Sequence, residues 1–310
     1  MKKLNDLIKE YLEYCTYRKR LDSKTLKAYR IDLGQYEDFC ADASACFSKD
    51  VVDSFITCLH KQYKPKTVKR KIASLKAFFH HMEYREVIKE NPFKKLDIRF
   101  REAKLLPKTI PFHSIQTFLS TLYTQKGNAG SEYQHRCCIR DIAVIELLFA
   151  TGMRISELCA LKLSDIDLES RNILIYGKGA KERILQIGNQ DVVSALVLYQ
   201  EVFQADIESC GYFFVNRLGN KLSDQSVRYM IARYAKLAGI SQHITPHMFR
   251  HSFATLLLEQ DVDIRYIQRM LGHSSISTTE IYTHVSNTKQ KDILVHRHPR
   301  NLMVVDKGYM

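Results

Sequence analysis

Apolar residues recur every three or four positions along most of the chain, and this period decides what the chain can build. Leu4, Leu7, Ile8, Tyr11, Leu12 and Cys15 mark one amphipathic helix. Tyr29, Leu33, Tyr36 and Phe39 mark a second, which Ser23 is placed to cap, and residues 48–59 give a third. Val68, Ile72, Leu75, Phe79 and Met82 mark a fourth. Pro65 suits its first turn, where an N–H would have no helical partner anyway. Further helices are expected at 113–125, 136–150, 189–208, 223–238, 246–259 and 262–271, with Gly239 and Gly272 as stops. Ser277 and Glu280 form a capping box for a short helix containing Tyr282. The period breaks around Gly177-Lys178-Gly179-Ala180-Lys181-Glu182, which is flanked by β-branched runs at 172–176 and 183–187. That is a hairpin signature. The fold expected is mainly α with a small β-sheet: an N-terminal helical bundle, then an α+β domain.

A length of 310 residues suits two domains. Asn91-Pro92 closes the first, placing it at 1–91. Residues 92–111 hold three prolines and six Lys/Arg with little periodicity, so they read as a basic linker, leaving 112–310 as the second domain. The formal net charge is +13, and it is uneven. Residues 1–110 carry 25 Lys+Arg against 15 Asp+Glu, whereas the remainder carries 22 against 19. No acidic residue lies between Asp53 and Glu83, a stretch that contains Lys61, Lys64, Lys66, Lys69, Arg70, Lys71 and Lys76. A solvated helix face usually mixes signs; this one does not. Lys66, Lys69, Arg70 and Lys71 fall largely off the apolar stripe and are expected to face outwards, with Lys76 beside it, and together with Lys64 they are expected to bind a polyanion.

Other classes fit poorly. The most apolar stretch, 142–150, is short and contains Glu146, so no membrane span is expected. The first residues lack the apolar core of a signal peptide. Eight cysteines without a CxxC pair fit neither a zinc site nor a disulfide scaffold, and point to a reducing, cytoplasmic setting.

Six residues stand at element boundaries: Arg154, Lys178, His247, Arg250, His273 and Tyr282. Taken singly, each has an ordinary structural reading. Arg154 would pair with Glu157, Lys178 would be solvated, the histidines would be satisfied core groups, and Tyr282 would pack. His247 and His251 share the i,i+4 spacing of a zinc protease pair, but Met248 stands where the general-base Glu would be. The set as a whole is more specific. The runs TGMRISEL (151–158), GKGAKERIL (177–185), HMFRHSFATLLLE (247–259), LGHSS (271–275) and STTEIYTHVS (277–286) occur in this order. Together they resemble the tyrosine recombinase, or phage integrase, family, and the Xer-type recombinases in particular. His298-Pro299-Arg300 is also similar to the Xer C-terminus.

The resemblance implies a core-binding domain followed by a catalytic domain, clamped around double-stranded DNA. It implies that Tyr282 is the nucleophile, forming a 3′-phosphotyrosine, and that Arg154, Lys178, His247, Arg250 and His273 complete the catalytic set. Arg154 and Arg250 would stabilise the transition state, and His247 and His273 would add hydrogen bonds. Lys178 would protonate the leaving 5′-oxygen. It implies no metal and no cofactor, and four protomers on two synapsed recombination sites, with a second recombinase or accessory protein in some systems. The services it covers are integration, excision, inversion and dimer resolution. A non-catalytic DNA-binding accessory protein would show gaps in the catalytic set, and none is visible. A type IB topoisomerase-like relaxase uses the same chemistry but sits badly with the Xer-like tail. The apolar residues Leu294, Val295, Leu302, Met303, Val304 and Val305 lead to the expectation that the tail docks on a neighbouring protomer. One departure is the absence of a proline after Arg183-Ile184.

Overall fold

The computed structural model describes residues 3–40, 46–98, 107–177 and 182–272. Lys178, His273, Tyr282, the capping box at Ser277 and the apolar tail lie outside them. The chain divides into two units, Met1–Lys104 and Leu105–Met310.

The first unit holds four helices: α1 (Leu4–Tyr17), α2 (Ser23–Phe39), α3 (Lys49–Gln62) and α4 (Pro65–Tyr84). Their apolar stripes meet, as the period requires. Tyr11, Leu33, Tyr36, Val52, Phe55, Val68, Leu75, Phe78 and Phe79 are all buried in one core. The cap of α2 is Asp22 rather than Ser23, because the carboxylate accepts the Thr25 N–H at 2.9 Å and the Thr25 hydroxyl at 2.9 Å. Ser48 caps α3, accepting from Val51 N at 3.3 Å.

Two expectations change here. Residues 92–111 are not all linker. Pro92–Lys95 forms a 3-10 turn started by Asn91, whose side chain accepts the Phe93 N–H at 3.0 Å. Phe93 then joins the first core, edge-on to Phe79 with ring centroids 5.4 Å apart. At the other end, Ile110 is buried in the second unit's core. The second change is Lys71, which does not face out: it is buried. Lys71 adjoins the apolar stripe of α4, and Asp32 on α2 supplies the countercharge that makes burial tolerable. Lys71 Nζ donates to Asp32 at 3.0 Å and to Gln35, and lies 4.8 Å from the Tyr63 ring centre. Asp32 also accepts from Arg70 and from Ser74 Oγ at 2.8 Å.

The second unit contains α5 (Phe112–Gly127), α6 (Glu132–Thr151), α7 (Ile155–Leu158), α8 (Gln190–Cys210), α9 (Asp224–Leu237), α10 (Pro246–Glu259) and α11 (Ile264–Leu271). Its sheet is antiparallel in the order β1 (Ile166–Asp167), β2 (Asn172–Tyr176), β3 (Glu182–Gln186). The hairpin pairs Leu174 with Ile184 and Tyr176 with Glu182. Ile173, Ile175 and Leu185 turn inwards. The helix α6 starts earlier than its apolar period suggests, because its first turn is polar and is capped by Ser131, which accepts from Gln134 N at 3.2 Å. It is the central helix, buried almost continuously from Asp141 to Leu148, and it packs on α5, α8 and α10. Its two buried acids are answered. Glu146 accepts from the Tyr123 hydroxyl at 2.8 Å, and Asp141 pairs with Arg140 at 2.8 Å and Arg233 at 2.7 Å. Among the described residues no helix is long and apolar enough to cross a membrane.

Candidate active site

The site forms where α6 ends. Gly152 closes that helix in the left-handed region, with φ +58°. It is also packed tightly: a Cβ there would lie 2.5 Å from Phe253 Cδ1 on α10. A residue with a side chain would be strained twice over. The turn delivers Arg154 two residues later as the N-cap of α7. Glu157 fixes that start, since its Oε2 accepts the Arg154 backbone N–H at 2.9 Å while Oε1 accepts from Arg154 Nη1 at 2.7 Å. The ordinary reading of Arg154, a pair with Glu157, thus holds in the structure. About a third of the Arg154 side chain remains exposed (35%).

Arg250 is buried on the inner face of α10. Its Nη1 donates to the Gly152 carbonyl at 2.8 Å and its Nη2 to the Leu271 carbonyl at 2.6 Å. One planar guanidinium therefore spans the turn before Arg154 and the end of α11, the position from which the chain leads to His273. His247 lies one helical turn before Arg250 and is exposed. The structure so places Arg154, His247 and Arg250 on elements that converge. β2 ends at Tyr176 and β3 begins at Glu182, and Lys178 belongs to the segment between them.

Two contributors escaped the sequence reading. The sequence marks Glu157 only as a counterion. It is buried between Arg154 and Arg183, and nothing in the sequence marks Arg183 as a site residue. Burial alone would push the Glu157 carboxyl up. Hydrogen bonds from Arg183 and from the Arg154 backbone outweigh it and hold the group below the usual carboxylate range. The i,i+3 spacing of Arg154 and Glu157 was a visible signal of a capping carboxylate. The contact from Arg183 crosses 26 positions and has no local signal.

His251 sits behind this constellation. Burial, then the nearby His247 and Arg250, lowers its pKa from 6.5 to about 4, so it is held neutral. Unfolding exposes a histidine that takes up a proton below about pH 6.5. The unfolded chain then binds more protons than the folded one, so stability falls as pH drops from 6.5 towards 4. His251→Gln is expected to flatten that part of the curve in urea midpoints measured against pH. Parallel curves for the two proteins would contradict it. The zinc reading of His247 and His251 gains nothing, since among the described residues no three His, Cys, Asp or Glu side chains group to hold a metal.

The basic surface belongs to the first unit. Lys64, Lys66, Lys69, Arg70 and Lys76 are exposed, while Lys71 is withdrawn into the Asp32 network. Arg70 shares Asp32 with it, yet keeps 45% of its side chain exposed.

Known proteins share this pattern. A model of the phage integrase family matches residues 109–289, and a model of the phage integrase N-terminal SAM-like domain matches residues 8–86. A tyrosine recombinase of Agathobacter rectalis is 56% identical over 301 residues, covering 97% of this chain and 98% of its own. Tyrosine recombinase XerD of Listeria innocua is 34% identical over 307 residues, covering 96% and 100%. In fold the chain is similar to the XerH site-specific recombinase bound to palindromic difH substrate in a post-cleavage complex. That likeness has a TM-score of 0.71 at 21% identity and covers 92% of this chain and 83% of that one. A family model spanning more than half the length, and relatives matched nearly end to end, carry one conclusion: the chain belongs to the tyrosine recombinase, or phage integrase, family of DNA-cleaving and DNA-rejoining enzymes.

Proposed function

We propose that this protein is an Xer-type site-specific recombinase that cleaves each DNA strand with Tyr282 and rejoins it to a new partner. The Tyr282 oxygen attacks the scissile phosphorus, its proton passing to His247. The bond from phosphorus to the 5′-oxygen breaks, and Lys178 gives that oxygen a proton. The product is a 3′-phosphotyrosine and a free 5′-hydroxyl, so the phosphodiester's energy is kept for rejoining. Arg154 and Arg250 offer fixed positive charge and forked donors to the non-bridging oxygens, where charge accumulates in the transition state. His273 adds a further hydrogen bond. None of these steps calls for a metal ion or a nucleotide.

The observation that carries the reading is the aim of Arg250. A guanidinium buried to 3% exposure is pinned to the carbonyls of Gly152 and Leu271, the residues that precede two other members of the set. A cation so expensively buried, with the half-buried Arg154 two residues after the carbonyl it holds, suits an anion in a fixed pose. Lys64, Lys66, Lys69, Arg70 and Lys76 supply sequence-independent contacts to phosphates, which makes affinity fall steeply with salt. Exchange of two duplexes cuts four strands, and one nucleophile per chain then requires four protomers.

The test uses a duplex selected for binding from a random pool and nicked near the scissile phosphate, so that the 5′-hydroxyl fragment diffuses away. Wild-type protein in EDTA is expected to accumulate a covalent adduct that survives denaturing electrophoresis. Tight binding with no adduct would contradict the proposal and leave only a DNA-binding protein.

A further inference from the structure

One side chain outside the catalytic set touches more of the site's supporting parts than any member of it described above. Arg183, on β3, lies five residues beyond Lys178 in the chain. Its Nη1 and Nη2 address the two carboxylate oxygens of Glu157 at 3.2 and 2.7 Å, and its Nε donates to the Met270 carbonyl at 2.9 Å. Gly272 is pressed against the same group: a Cβ there would lie 3.0 Å from Arg183 Nη1, at a φ of +65°. Only 11% of the Arg183 side chain is exposed. A single guanidinium therefore joins the start of α7, the β2–β3 hairpin and the end of α11.

That junction matters because of where β3 sits. Among the described residues it is an edge strand, paired only with β2, and both strands are five residues long. A short hairpin of this kind has little rigidity of its own. A forked, charged pair to a carboxylate is directional as well as strong, so it fixes the hairpin's angle and not merely its proximity. The acid end of this link is itself anchored, since Glu157 accepts the Arg154 backbone N–H.

We infer that Arg183 is a positioning residue: it staples the hairpin to the Arg154 turn and the end of α11, and so keeps Lys178 within reach of the leaving 5′-oxygen. The inference rests on the proposed role of Lys178 as general acid. General acid catalysis contributes roughly 10²–10⁴-fold, and losing the staple forfeits part of that, about 10- to 100-fold in cleavage rate. A purely structural role would lower stability without changing which step needs help.

The leaving group distinguishes the two. Single-turnover cleavage is measured for wild type, Lys178→Ala and Arg183→Met on nicked duplexes bearing either oxygen or sulfur at the 5′-bridging position. With sulfur, the phosphorus–sulfur bond breaks and a thiolate departs without needing a proton. Both variants are expected to be slow on oxygen and to return to within about threefold of wild type on sulfur. Restoration of Lys178→Ala but not of Arg183→Met overturns the inference, because Arg183 then acts through Arg154 or the fold. Failure to restore Lys178→Ala overturns the general-acid role itself, and the inference with it. Should Arg183→Met not bind DNA, Arg183→Lys takes its place. It keeps a charge near Glu157 and loses the fork, so a smaller oxygen defect that vanishes on sulfur is expected, and a defect that persists on sulfur refutes the staple.

Discussion

Replacing Tyr282 with Phe is expected to reduce the covalent adduct to background while DNA affinity stays within about twofold of wild type. The change removes one oxygen atom and keeps the ring. In the proposed reading, affinity comes mainly from cations on other segments, above all Lys64, Lys66, Lys69, Arg70 and Lys76 of the first unit, all of which are exposed. The reaction, by contrast, has no second route in this account. Water attacking the same phosphate would give a free 3′-phosphate and no linkage to protein. Electrophoretic mobility shift and denaturing gels on one nicked duplex separate the two quantities. An adduct that persists in Tyr282→Phe would mean that another side chain is the nucleophile.

Arg250→Ala is the second large effect, and it acts twice. Loss of a charged donor to the transition state typically costs 10²–10³-fold or about 3–4 kcal/mol, so single-turnover cleavage is expected to fall at least that far. The same substitution strips the Gly152 and Leu271 carbonyls of their donors. Each buried acceptor left unpaired costs about 1–3 kcal/mol, so the urea midpoint is expected to fall as well. Arg250→Lys separates the two roles. A lysine keeps one positive charge but cannot reach both carbonyls and the phosphate from one plane. It is expected to recover part of the stability and little of the rate. Cleavage by Arg250→Lys within about fivefold of wild type would mean that charge alone suffices and that the fixed plane has no catalytic meaning.

How far the sequence exposed all this depended on whether a signal was local. Helical stripes are local, and the four helices of the first unit stand where the stripes of Tyr11, Tyr36 and Phe79 and the run 48–59 place them. The hairpin was visible because β-branched runs flank a glycine-rich turn. Caps were partly visible: Pro65 stands out in the first turn of its helix, whereas the sequence points to Ser23 where Asp22 is the cap, since either chemistry can cap and only geometry decides. Lys71 misled because its neighbours are basic. Its orientation was set by Asp32, 39 residues earlier, and no periodicity reports such a partner. Phe93 misled for the related reason that prolines and lysines around it look like linker, while one aromatic ring is enough to anchor the segment.

The candidate site divides in the same way. Arg154 and Arg250 were legible as members of a motif set. The local pair of Arg154 with Glu157 was legible too. What holds them was not. Arg250 reaches backbone carbonyls 98 and 21 residues away, and Arg183 reaches Glu157 26 residues back and Met270 87 residues on. Those contacts exist only after α6, α10, α11 and β3 have packed, so they are properties of the fold rather than of any stretch of sequence.

In the proposed reaction Tyr282 becomes joined to DNA. The most direct measurement is to trap the adduct on a nicked duplex, digest protein and DNA, and locate the nucleotide-bearing peptide by mass spectrometry. The expected result is a single modified peptide containing residues 277–286 with the phosphate on Tyr282, formed equally in EDTA. A nucleotide on any other residue, or clean strand cleavage with no modified peptide, would contradict the account.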